Sequence, residues 1–137
     1  MSGVVIDASM ALAWGFPDEG SESVDAVLLA LEGQPIIVPA IWVLEITNAI
    51  LVAERRKRLK RPEALRFVAL LEELSIIENH QTVSKSVSHI LPLAHEYGPT
   101  VYDAAYLEVA VRHNARLAML DRGLQKAGRR SGIEILA

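Results

Sequence analysis

VVIDASMALAWGF, residues 4–16, sets three branched aliphatic side chains against an aspartate and then resumes as an apolar run. Val4, Val5 and Ile6 do not alternate with polar residues, and β-branched side chains favour extended backbone, so the triplet reads as a strand buried on both faces. Asp7 therefore stands where burial is expected, and two readings are open. It can cap the helix that follows by accepting from a free backbone N–H. It can also mark the carboxyl end of a strand, where proteins of alternating strands and helices bind their ligands.

The rest of the chain supplies that alternation. Short apolar runs recur at 36–38 (IIV), 75–77 (SII), 116–120 (RLAML) and 133–136 (IEIL), and helical periodicity fills 21–32, 40–54, 63–74, 83–97, 101–114 and 122–130. Gly33, Pro35, Pro39, Pro62, Gly98, Pro99 and Gly132 punctuate these segments as helix ends and turns require. The pattern predicts an α/β fold with a mostly parallel central sheet covered on both faces. With 137 residues, the chain is expected to be a single domain spanning 1–137. It is 51% apolar without an unbroken membrane-length run, and no secretory leader opens it, so a soluble, cytoplasmic protein with no membrane association is expected. The absence of cysteine excludes a disulfide framework, a thiol nucleophile and a thiolate metal site.

Four carboxylates carry the chemistry. Asp7 and Asp121 end strand runs, Asp103 stands three residues after Thr100 at the start of a helix, and Glu45 lies in IWVLEITNAILVA. Each aspartate has a capping explanation. Glu45 is harder to dismiss, because its neighbours predict a helix buried almost all round, where an ionised carboxylate needs a partner. Asn48, three residues on, shares its face and can donate. Helices that follow strands begin at the carboxyl end of a parallel sheet, so all four acids are expected at one end of the molecule. Like charges gathered there call for a cation. Oxygen ligands without Cys or His select Mg2+ or Mn2+, which activate water and stabilise charge at phosphorus.

VVIDAS, LEITNAI, TVYDAAYLEVA and LAMLDRGLQ, in that order and spacing, resemble the PIN-domain nucleases, in particular the ribonuclease toxins of VapBC-type toxin–antitoxin pairs. The resemblance covers essentially the whole chain. It implies a three-layer α/β/α sandwich with strand order 3-2-1-4-5, which makes the strand tips carrying Asp7 and Asp121 neighbours. It implies hydrolysis of RNA with Mg2+ or Mn2+, a cognate antitoxin and a homodimer. By it, Asp7, Glu45, Asp103 and Asp121 form the catalytic acid cluster, with Asp7, Asp103 and Asp121 as metal ligands. Ser9 and Asn48 match the polar positions that support the cluster. One position departs: where many members carry Thr or Ser two residues before the fourth acid, this chain has Met119, which cannot donate a hydrogen bond.

Charge is unevenly spread. Net charge is −3, residues 1–53 contain no Lys or Arg, and six of the seven positions in RRKRLKR, 55–61, are basic. A run of this kind commonly does no more than face water. Its functional reading is an edge that guides RNA by its phosphates, with Arg55, Arg56, Lys57 and Arg58 as the contacts. Six further basic residues between Arg112 and Arg130 are expected to be mostly helical surface charge. His80, His89, His95 and His113 show no ligand spacing, and Trp14, Phe16 and Trp42 read as core or interface.

Other functions fit the residues less well. A phospho-accepting receiver domain needs an aspartate after the third strand and a lysine after the fifth, and this chain has ENHQ and its own end there. A haloacid-dehalogenase-type phosphatase needs a second aspartate where Ser9 stands. A catalytically inactive PIN domain that binds RNA or protein remains the alternative to the nuclease.

Overall fold

In the computed structural model, which describes residues 3–98 and 100–136, β1 (Val4–Ile6) is the middle strand of a five-stranded parallel sheet. Pro99 lies outside the described residues. On one side, β1 pairs with β2 (Ile36–Pro39), which pairs with β3 (Ile76–Asn79); on the other, it pairs with β4 (Arg116–Ala118), which pairs with β5 (Ile135–Leu136). The order is β3-β2-β1-β4-β5, as the resemblance implied. Successive side chains of a strand point to opposite faces, and Val4, Val5 and Ile6 all have no exposed surface, so both faces of the sheet are covered.

Seven α-helices make the cover: α1 (Ala8–Gly15), α2 (Glu22–Ala30), α3 (Ile41–Arg55), α4 (Arg61–Glu73), α5 (Val83–Tyr97), α6 (Val101–His113) and α7 (Arg122–Arg130). α6 packs across β1, β2 and β4 with α5 and α7 beside it, while α1 packs with α2, α3 and α4. The core is centred on β1, β2 and β4, where Ile6, Ile36, Val38 and Leu117 meet Met10 of α1 and Leu107 of α6.

The boundaries shift for local reasons. α4 begins at Arg61, two residues early, because a helix tolerates Pro62 in its first turn and Glu63 accepts from the Lys60 N–H at 2.9 Å. β3 runs to Asn79 because its edge pairing continues opposite Val38 and Pro39. β4 stops at Ala118 instead of 120, since the Leu120 N–H turns to the Ser9 hydroxyl (3.4 Å) and Gln125 takes the Met119 carbonyl (3.0 Å). One expectation is overturned. α3 is not buried all round: Leu44 is 67% exposed, with Val43 and Leu51 beside it, and only Trp42, Ile46 and Ala53 are buried.

α1 and α4 meet at a glycine. A methyl group on Gly15 would lie 2.5 Å from the ring of Phe67, which is itself 3% exposed and tilted against Phe16 at a centroid distance of 6.5 Å. Gly15→Ala is expected to destabilise by about 1–3 kcal/mol through overpacking, although alanine favours helix, and a lowered denaturation midpoint with an unchanged m-value checks it.

Candidate active site

β1 ends in Asp7, and its backbone N–H extends the ladder to the Ala118 carbonyl (3.1 Å). The side chain turns back to cap α1. Oδ1 accepts from the Met10 N–H at 3.0 Å, and the Ser9 hydroxyl donates across both carboxylate oxygens at 2.8 and 2.9 Å. Asp7 is thus a cap and also a buried acid, 7% exposed at the point where the strand order reverses. Burial pushes its pKa up to about 6; the Met10 and Ser9 donors oppose the shift, and the charges of Asp103 and Glu45 add to it. Ser9 sits beside the first acid as the sequence placed it, and through Leu120 it ties the tip of β1 to that of β4.

Glu45 lies half-buried near the start of α3, and its partner is not Asn48. The buried phenol of Tyr106 on α6 donates to Glu45 Oε1, whereas Asn48 is exposed and makes no side-chain hydrogen bond among the described residues. Burial, the Glu45 hydrogen bond and the nearby charges of Glu45 and Asp7 raise the Tyr106 pKa beyond its ordinary range, so the phenol remains a donor. Sequence reasoning missed Tyr106. Its only signal was position, three residues after Asp103 and so on the same side of α6.

Asp103 and Asp121 complete the group. Thr100, not Asp103, caps α6, accepting from the Asp103 N–H at 3.2 Å, which leaves the half-buried Asp103 carboxylate at the first turn. Burial raises its pKa, the charge of Asp121 adds, and Thr100 opposes. Asp121 is exposed and caps α7 through the Leu124 N–H (3.0 Å). Both acids line one cleft of about 260 Å³, together with Tyr97, Gly123, Lys126 and Arg130. The charges are therefore linked in series: Glu45 and Asp103 act on Asp7, and Asp121 acts on Asp103. Among the described residues, no three carboxylate or imidazole groups stand close enough to share one ion as placed. Met119 has no exposed surface and lends only its carbonyl, to Gln125.

Two members of the basic run are committed to ion pairs. Arg58 pairs with Asp18 (3.0 Å) and Glu19 and lies over the Phe16 ring at 4.5 Å, so it braces the turn after α3 against residues 16–19. Arg61 pairs with Glu54 at 3.5 Å. Arg55, Arg56 and Lys57 are exposed and make no ion pair among the described residues. A buried acid that the sequence reading passed over, Glu108, is held by Arg112 at 2.6 and 3.0 Å, a structural pair along α6. No histidine lines the acid cleft.

The PIN domain family matches residues 4–130 of this chain. Ribonuclease VapC3 of Pyrobaculum aerophilum is 32% identical over 122 residues, 88% of this chain and 91% of that protein. Among solved structures, PAE2754 from Pyrobaculum aerophilum superposes with a TM-score of 0.70 at 23% identity, covering 98% of this chain and 84% of the other. FitAcB from Neisseria gonorrhoeae superposes with a TM-score of 0.62 at 18% identity, covering 98% and 96%.

The buried acid has a signature in stability. Native Asp7 holds its proton to about pH 6, while the unfolded chain releases it near 3.8, so this stabilising term is fully present below the unfolded value and is lost as pH rises through 6. Asparagine caps as well and carries no charge. Asp7→Asn is expected to be more stable than wild type by about 1–3 kcal/mol at pH of about 8, with the gap closing towards about pH 4. Denaturant titrations across that range check it, and a gap that widens towards acid would refute it. Tyr106→Phe removes the donor to Glu45 and is expected to cost about 1–2 kcal/mol in the same measurement.

Proposed function

The chain belongs to the PIN-domain family, and on that premise we propose that it is a metal-dependent endoribonuclease acting as the toxin of a type II toxin–antitoxin pair. The observation that carries the reading is the placement of the four carboxylates: Asp7 at the tip of β1 where the strand order reverses, Asp103 and Asp121 in one cleft, and Glu45 tied to α6 through Tyr106. Similarity to Ribonuclease VapC3 supports RNA as the substrate, and the likeness to a toxin–antitoxin complex from Klebsiella pneumoniae, TM-score 0.56, supports the pairing. Together, β1 to β5, drawn from residues 4 to 136, make one sheet, and we take the chain as a single nuclease domain.

The donor set suits a hard divalent cation: it is oxygen-only, the charges of Asp103 and Glu45 raise the pKa of Asp7, and that of Asp121 raises the pKa of Asp103. Asp7, Asp103 and Asp121 would hold Mg2+ or Mn2+. When bound, such an ion lowers the pKa of a water and offsets charge growing on the phosphoryl oxygens. Ser9 keeps the Asp7 carboxylate turned to the site by engaging both of its oxygens. Tyr106 occupies Glu45 Oε1 and leaves the other oxygen to orient the attacking water and accept its proton. Attack in line with the departing 3′ oxygen leaves a 5′-phosphate and a 3′-hydroxyl.

The partners that follow are RNA, a cognate antitoxin and a second copy of the chain. An antitoxin that inserts Arg or Lys into the acid cleft would compete with the metal and inhibit without a change of fold. Exposed apolar side chains on α3 (Val43, Leu44, Leu51) and α5 (Val83, Val87, Leu91) offer surfaces for protein contacts. No helix among the described residues is long and apolar enough to cross a membrane; a toxin that acts on RNA would work in the cytoplasm.

Cleavage of a mixed RNA pool tests the activity. The expected result is cutting with Mg2+ or Mn2+, none with EDTA, and a loss of at least about 100-fold in Asp7→Asn and Asp103→Asn with the circular-dichroism spectrum kept. Cleavage that persists in EDTA would overturn the metal role, and an RNA pool left intact by wild type would favour an inactive PIN domain that serves as a binding module.

A further inference from the structure

An anionic substrate must approach four carboxylates, so something must offset their repulsion, and the fourteen Lys and Arg of the chain are the supply. Several are committed already: Arg58 to Asp18 and Glu19, Arg61 to Glu54, Arg112 to Glu108, and Arg116 to Glu134. The free members of the basic run lie far along their helix. Arg55 is ten residues beyond Glu45 on α3, roughly 15 Å at 1.5 Å per residue.

α7 is placed differently. It buries Leu124, Ala127 and Gly128, and on its exposed side Lys126 and Arg130, one turn apart, line the cleft that contains Asp103 and Asp121. Neither cation pairs with an acid among the described residues. The two signs thus share one cleft without cancelling, and the carboxylates stay available to a metal. Arg130 is further steadied by Tyr97, its guanidinium 5.4 Å from the centre of the ring. Gly123, at the first turn of α7, keeps the cleft open beside Asp121: a methyl group there would meet Asp121 Oδ1 at 3.1 Å.

We propose that Lys126 and Arg130 form the phosphate subsite that holds the RNA backbone next to the acid cluster, so that α7, and not the 55–61 run, sets the path of the strand. The inference rests on the nuclease reading above. A point-like ammonium and a forked guanidinium one turn apart suit successive phosphates of a single strand and carry no base specificity. Asp121 begins the same helix, so a strand seated on α7 has its next phosphate beside the metal-binding acids.

The test compares full-length Lys126→Gln/Arg130→Gln with Arg55→Gln/Arg56→Gln and wild type on a short single-stranded RNA of mixed sequence. Binding is read by anisotropy in EDTA over a range of salt, and cleavage is read with Mg2+ or Mn2+. The α7 pair is expected to flatten the slope of log affinity against log salt by about 1.4, roughly 0.7 per lost single-strand contact, and to do so more than the α3 pair. In cleavage its loss should fall on KM rather than kcat, with a penalty that grows with the number of phosphates in the substrate. An unchanged salt slope in Lys126→Gln/Arg130→Gln, or a larger change in Arg55→Gln/Arg56→Gln, overturns the assignment. Failure of wild type to cut RNA with either metal would instead count against the nuclease reading, and the salt slopes would still decide the subsite.

Discussion

At the end of β1 the chain has to leave a core that is closed on both faces, and it does so through one side chain whose two oxygens are both occupied. Asp7 accepts from Met10 and Ser9 while its own N–H completes the ladder to Ala118, so the end of the central strand, the start of α1 and the edge of β4 are fixed by a single residue. A neutral cap would have served the helix equally well. The carboxylate is retained although burial disfavours its ionised form, and a fold tolerates such a cost at places where charge has work to do. The other acids follow from that fixed point: the charges of Asp103 on α6 and Glu45 on α3 act on Asp7, and Asp121, at the start of α7, acts on Asp103.

Much of this was legible in the residues, and the reason is periodicity. A strand buried on both faces must be a continuous apolar run, and a helix lying on a sheet must repeat its apolar side, so Val4–Ile6, Ile36–Pro39 and the helices between them declare themselves. Strand order came from the family resemblance, because local pattern does not say which strands pair. Cap and ligand proved not to be alternatives. Asp7 and Asp121 are both N-caps and both members of the acid group, since a strand tip leading into a helix is one location that serves the two purposes.

What stayed hidden were contacts made at long range in the chain. Nothing in IWVLEITNAILVA tells which of its apolar residues face outward, so α3 read as buried when Leu44 is largely exposed. The phenol of Tyr106 and the carboxylate of Glu45 are 61 residues apart, and Arg58 and Asp18 are 40 apart; such pairs exist only once helices are packed. Met119 looked like a lost hydroxyl in the site, yet the turn at Leu120 directs it wholly into the core. Of the charged run, Arg58 and Arg61 turn to nearby acids, while Lys126 and Arg130 of α7 line one cleft with Asp103 and Asp121.

The small bridge at Ser9 has a use of its own. The Ser9 hydroxyl donates to the buried carboxylate and its oxygen lies 3.4 Å from the Leu120 N–H, which therefore sits two hydrogen bonds from Asp7 and one residue before Asp121. Polarisation passes along such a chain, so the electron density at that amide follows the state of the carboxylate. In a nitrogen–proton correlation spectrum, the Leu120 resonance is expected to move when the acids on either side of it, Asp7 through Ser9 and Asp121 through the chain, take up a proton, bind a cation or are covered by a partner. The fold thus carries its own spectroscopic reporter, built from the hydroxyl that holds its first acid in place.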